Sequence, residues 1–148
     1  DRAISLARAI EEPLILIGDG PARDAHAGTA QTGVSFLGAL PRDVSLEHIS
    51  RARAMVLLPR SDADGSGAEG LGLCLLEAAT YGVPAIACRT GGVAEAAQTG
   101  LLIDPDTPDI QAVRELLADP DAGVRAQQWV QQAHGPGPCL RVLDEALR

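Results

Sequence analysis

The chain has 148 residues, 46% of them hydrophobic, and a formal net charge of −8. That length suits one domain with a real core rather than two, and that apolar fraction excludes a disordered chain. The acidic balance argues against a polyanion bound over a broad surface, and with Phe36, Tyr81 and Trp129 as the only aromatics there is no stacking platform for single-stranded nucleic acid.

In chain order, residues 1–11 carry Ile4, Ala7 and Ile10 at helical spacing. Leu14-Ile15-Leu16-Ile17 reads as a buried strand that ends in Gly18-Asp19-Gly20-Pro21, and a weak helix is expected over 22–31. Val34-Ser35-Phe36-Leu37 is the next strand, ending at Gly38, and 43–53 is a helix with Leu46 and Ile49 on one face. A third strand over 54–58 ends at Pro59-Arg60. It leads into Ser61-Asp62-Ala63-Asp64-Gly65-Ser66-Gly67, either a lid or an ordinary surface loop. The strongest helix pattern spans 71–81. Strands over 83–88, ending in Arg89-Thr90-Gly91-Gly92, and over 100–104 follow. Helices over 108–117 and 123–133 precede a break at Gly135-Pro136-Gly137-Pro138, and a last helix over 139–147 has Leu140, Leu143 and Leu147 in register.

Apolar strands alternating with helices predict an α/β fold: a single Rossmann-like, doubly wound parallel sheet with helices on both faces. In such sheets ligands bind beyond the carboxyl ends of the strands, and the turns at Gly18, Gly38, 60–70 and 89–92 all fall on that edge. Cys74, Cys88 and Cys139 lack zinc-ligand spacing and read as buried free thiols in a reducing compartment; His26, His48 and His134 are scattered. All twelve basic residues are Arg, so any side-chain cation at a phosphate site is a planar, multi-donor group. No apolar run reaches the length of a membrane span.

The segment Glu69-Gly70-Leu71-Gly72-Leu73-Cys74-Leu75-Leu76-Glu77-Ala78 carries the most chemistry. Residues 70–82 are apolar almost all round, with Glu77 the sole charged group, and a helix of that composition is expected to be buried. A buried carboxylate needs a partner. A bound polyol is one candidate; a nearby Arg is the other, with Glu69 then only an acidic residue of the first turn. The helix opening at Gly70 and Gly72 offers free N–H groups to an anion.

The run Glu69-Gly70-Leu71-Gly72, then Leu75-Leu76-Glu77-Ala78, Gly82-Val83-Pro84 and Thr90-Gly91-Gly92, resembles the C-terminal, nucleotide-sugar-binding half of retaining GT-B glycosyltransferases of family 4. The similarity extends back through Gly18-Asp19-Gly20-Pro21, Val34-Ser35-Phe36-Leu37-Gly38 and Ala52-Arg53-Ala54-Met55-Val56-Leu57-Leu58-Pro59. It runs forward to Gly100-Leu101-Leu102-Ile103-Asp104-Pro105. The resemblance implies that 1–148 is one donor-binding domain with C-terminal helices over 123–148, the N-terminal acceptor domain being absent. It implies a hexose transferred from a UDP- or GDP-sugar to an acceptor hydroxyl with retention, by a whole protein of which this piece alone is inactive.

Under the same resemblance Glu69 is the catalytic-site residue that bonds the donor sugar, and Glu77 accepts from the ribose hydroxyls. Backbone amides of Gly70, Leu71, Gly72 and Leu73 hold the diphosphate, and the turn near Leu40 meets the base. No metal and no cofactor is implied. Family members carry an Arg and a Lys on the diphosphate from a segment before the point where this chain starts; Arg60 and Arg89 are strand-end cations that either stand in partly or, as is more usual for such an Arg, are solvated or paired with a carboxylate such as Asp62 or Asp64. A cytoplasmic protein is expected, peripheral at the membrane in full length, and the long loop before Glu69 is similar to bacterial members acting on lipid acceptors. The alternatives are a non-catalytic nucleotide-binding or assembly module and a nucleotide-sugar epimerase of the same fold. A dehydrogenase is disfavoured, because Gly18-Asp19-Gly20-Pro21 lacks the third glycine of a dinucleotide fingerprint.

Overall fold

A computed structural model describes residues 2–20, 23, 33–60 and 69–137. The helices expected over 22–31 and 139–147 and the loop over 61–67 lie outside them. The elements are α1 (Arg2–Ile10), β1 (Leu14–Ile17), β2 (Val34–Gly38), α2 (Arg42–Ser50), β3 (Met55–Leu57), α3 (Leu73–Thr80), β4 (Ala85–Ala87), α4 (Val93–Ala96), β5 (Leu101–Leu102), α5 (Ile110–Ala118) and α6 (Ala122–His134).

Every strand pair is parallel. Leu14, Ile15 and Leu16 of β1 stand opposite Val34, Ser35 and Phe36 of β2, while β3 pairs with β4 through Val56 and Ile86, and β4 with β5 through Ile86 and Leu101. The α/β class is as expected. One difference is that the strands form two ladders, β1–β2 and β3–β4–β5, instead of one continuous ladder. The three-residue β3 already pairs with β4, and so short a strand presents few N–H and C=O groups to a second neighbour.

Period-two alternation sorts the side chains of β3–β5 onto two faces. Met55, Leu57, Ala85, Ala87 and Leu102 turn toward α3 and α4, where they pack with Leu75, Val93 and Ala96. Val56, Ile86 and Leu101 turn the other way and pack with Leu6 of α1 and Val113 of α5. This part of the sheet is therefore covered on both sides, and each fully buried Leu, Ile or Val contributes about 1.5–3 kcal/mol. On β1–β2, by contrast, Ile15, Ile17 and Leu37 remain exposed. A third cluster, Ala79 with Ala126 and Val130, fixes α6 against α3.

Helix boundaries follow local chemistry. The N-terminal end of α5 is set by Asp109, whose Oδ1 accepts from the Ala112 N–H at 3.0 Å. Asp109→Ala is expected to lower stability by about 1 kcal/mol, read as a fall in the urea midpoint at unchanged slope. Pattern alone extends 71–81 two residues too far at the front. Gly72 has φ +79°, outside the helical region, so α3 begins at Leu73. The short helix α4 has no sequence signal, because four residues are too few to show a period.

Candidate functional site

Parallel pairing brings the carboxyl ends of the strands, and the turns that follow them, to one edge. At β1 and β2 the turns are linked by the Gly18 N–H donating to the Gly38 carbonyl at 2.8 Å. Leu40 lies in the turn between β2 and α2 and is partly buried. The turn after β4 docks backbone to backbone on the segment that precedes α3: Gly92 N–H donates to the carbonyls of Glu69, at 3.2 Å, and Gly70, at 3.1 Å. A Cβ on Gly91 would sit 2.0 Å from the Glu69 carbonyl oxygen, and one on Gly92 2.1 Å from that of Gly70. The paired glycines of Thr90-Gly91-Gly92 therefore exist to let this approach happen, and it aims the mouth of α3 at the edge.

At that mouth Glu69 bends back so that its Oε1 accepts from the Gly72 N–H at 3.1 Å. The amide of Leu75 is satisfied by the Gly72 carbonyl at 2.8 Å. The N–H groups of Leu73 and Cys74, in the first turn, have no intrahelical acceptor and carry the positive end of the helix dipole. Of the amides expected to hold an anion, Gly72 is thus engaged by Glu69. Gly70 is exposed, with open space where a Cβ would be, and Leu71 packs against the α3–α4 face of the core.

Two expectations for α3 are corrected. The helix is not buried all round: Leu75, Ala78 and Ala79 face the core, whereas Leu73 is 67% exposed. Nor is Glu77 a lone buried acid. Its side chain is 31% exposed and is ion-paired with Arg42, the first residue of α2. Amphipathicity here comes from Ala and Leu on both faces, so composition overstates burial. The desolvation argument for a polyol at Glu77 therefore fails. Arg42 has a sequence signal that could have found it: a cation in the first turn of a helix opposes the dipole and calls for a carboxylate partner.

The electrostatics of the mouth register on Cys74, a half-buried thiol whose pKa is raised first by burial and then by the charges of Glu69 and Glu77. The expectation of buried thiols holds for Cys88, only in part for Cys74; Cys139 is outside the described residues. Arg60 and Arg89 are exposed, just beyond β3 and β4. Arg89 lines an open cleft of about 450 Å³ with Cys88, Thr90, Asp104 and Asp106. Arg2 closes one side of it, donating to the Pro59 carbonyl and to Asp106. The Asp104 carboxyl is held below the usual range by the Asp106 N–H and the Thr107 hydroxyl. A second groove of about 500 Å³ runs from Arg42 and Glu77 past Leu73 and Tyr81 to His134. Among the described residues no group of three or more His, Cys, Asp or Glu could hold a metal, and no helix is long and apolar enough to cross a membrane.

A parallel α/β arrangement flanked by helices is the fold that the chain shares with its structural neighbours, which are GT-B glycosyltransferases. One of them, AviGT4, a glycosyltransferase involved in avilamycin A biosynthesis, superposes on 97% of this chain and 45% of its own at a TM-score of 0.80 and 20% identity, a likeness of fold. Residues 2–119 match the family profile described as "Glycosyl transferases group 1", and the chain belongs to that family. It is 34% identical over 131 residues to the GDP-mannose-dependent alpha-(1-6)-phosphatidylinositol monomannoside mannosyltransferase of Mycobacterium tuberculosis, covering 79% of this chain and 34% of that protein. The protein of the same name from Mycolicibacterium smegmatis is 31% identical, over 82% of this chain and 36% of the relative. The chain thus spans about a third of the length of these curated relatives.

Proposed function

We propose that the chain is the donor-binding domain, residues 1–148, of a hexosyltransferase of the retaining family 4 type. The donor is a nucleotide-diphosphate sugar, with GDP-mannose favoured by the named relatives, and the acceptor is a hydroxyl on a lipid-linked sugar. The whole polypeptide works in the cytoplasm, peripherally at a membrane. The observation that carries this reading is the meeting, at one sheet edge, of the α3 mouth with Glu69 and the 91–92 turn.

Transfer breaks the bond between the anomeric carbon and the diphosphate oxygen and forms one to the acceptor oxygen, whose hydroxyl proton passes to the departing diphosphate oxygen. Positive charge grows on the sugar and negative charge on the diphosphate. The N–H groups of Leu73 and Cys74 oppose the second charge, and they are oriented by the fold before reaction begins, so no metal is required. Gly70 leaves room for close approach, and Arg60 and Arg89 supply cations at the same edge. Glu69 keeps one oxygen on Gly72 and offers the other to sugar hydroxyls, Glu77 takes the ribose, and the backbone near Leu40 meets the base.

Calorimetry with GDP, UDP and ADP tests the reading. One diphosphate is expected to bind, and Glu77→Ala to weaken it by about tenfold or more, the usual effect of removing a charged hydrogen-bond acceptor. Absence of binding by all three nucleotides at millimolar concentration would sink it. The Arg42–Glu77 ion pair favours a second reading, a non-catalytic module in which Glu77 is only a structural acid. On that reading Glu77→Ala leaves nucleotide binding unchanged.

A further inference from the structure

Resting on the donor-site reading above, we propose that Arg42 is the positioning residue that aims Glu77 at the ribose of the bound nucleotide. Arg42 Nη2 donates to Glu77 Oε1 across 35 residues of sequence. Among the described residues this is the only hydrogen bond or ion pair made by the Glu77 carboxylate. A carboxylate has two oxygens and about four lone-pair sites, so a single contact to Oε1 leaves Oε2 able to accept from a vicinal diol. A partly exposed Glu otherwise samples many rotamers, and a charge-assisted bond from an arginine rooted at the start of α2 narrows that freedom before the ligand arrives.

The backbone that carries the donor is held because Arg42 opens α2, directly after the turn through Leu40 and Pro41 that follows β2. The ion pair therefore ties the turn that meets the base to the carboxylate that meets the ribose, two parts of one nucleoside held by the turn after β2 and by α3. Arg42 itself is 76% exposed, so its removal costs the fold little. That separates positioning from structural support.

The test compares GDP with 2′-deoxy-GDP by calorimetry on the whole polypeptide that carries these residues. The unmodified protein is expected to prefer the ribonucleotide by about tenfold or more, as a site built around a hydroxyl rejects an analogue without it, and Glu77→Ala to abolish the preference. Arg42→Ala is expected to cut the preference to roughly a third or less of its original value with unchanged melting temperature. Arg42→Lys is expected to restore most of it, because only one donor atom is used. Should the unmodified protein or Glu77→Ala show no such behaviour, the donor-site reading falls and takes this one with it. A full preference in Arg42→Ala overturns the role of Arg42 alone. So does tighter GDP binding in that variant, which would make Arg42 a competitor for Glu77.

Discussion

Gly91→Ala is expected to lower folding stability by about 3 kcal/mol or more, combining the cost of positive φ for a residue with a Cβ and a backbone collision. Gly91 has φ +54°, and the added Cβ would fall 2.0 Å from the carbonyl oxygen of Glu69. No flexible side chain can yield there, since the obstacle is main chain. The 69–72 segment must retreat, and with it go the bonds from Gly92 to Glu69 and Gly70 and the aim of α3. Gly70→Ala is the internal control, because its Cβ would meet open space; its stability is expected to stay within about 0.5 kcal/mol. Urea titration of both variants decides the matter. Equal midpoints for Gly91→Ala and the unmodified chain would mean that the two turns do not dock. A Gly70→Ala variant that folds normally but loses nucleotide binding would mean that the ligand, and not the fold, needs that space.

Glu69 has two duties, and they can be pulled apart. Its Oε1 satisfies the Gly72 N–H at the head of α3. Glu69→Ala is expected to cost about 1 kcal/mol of stability, as the loss of one partly buried side-chain-to-backbone hydrogen bond does. In the whole polypeptide the same change is expected to lower kcat for sugar transfer by about a hundredfold, the usual effect of removing one polar group from a preorganised site. Glu69→Gln keeps an acceptor oxygen for Gly72 but loses the charge. It is expected to recover stability in a melting experiment while kcat stays low. Near-normal transfer by Glu69→Gln would reduce Glu69 to a structural partner of the Gly72 amide and move the chemistry elsewhere.

The elements that the sequence made legible are those whose signal is local. Leu14-Ile15-Leu16-Ile17 followed by Gly18, and the runs before Gly38 and Arg89, announce strands and their carboxyl ends without reference to anything distant, and the parallel pairing of β3 with β4 follows from the helix between them. Asp109 marks the start of α5 by the same kind of short-range chemistry. Glu69 and Glu77 drew attention because they are the charges in an apolar stretch, and both lie on the segment that reaches the sheet edge.

What lay beyond reach depends on groups far apart in the chain. Composition counts apolar residues but does not say which side of α3 another element covers, so it could not foresee that Leu73 is exposed while Leu75 is buried. Nor could spacing say that the carboxylate Arg42 calls for is Glu77, or that Gly91 and Gly92 lie against Glu69 and Gly70. Residue types and their local period determined the α/β class, the strand ends and the identity of the acids. Only tertiary packing decided that Glu77 pairs with Arg42 and that the 91–92 turn lies against Glu69 and Gly70, because the packing of α2 beside α3, and of the β4 turn beneath the α3 mouth, sets distances that no local pattern encodes.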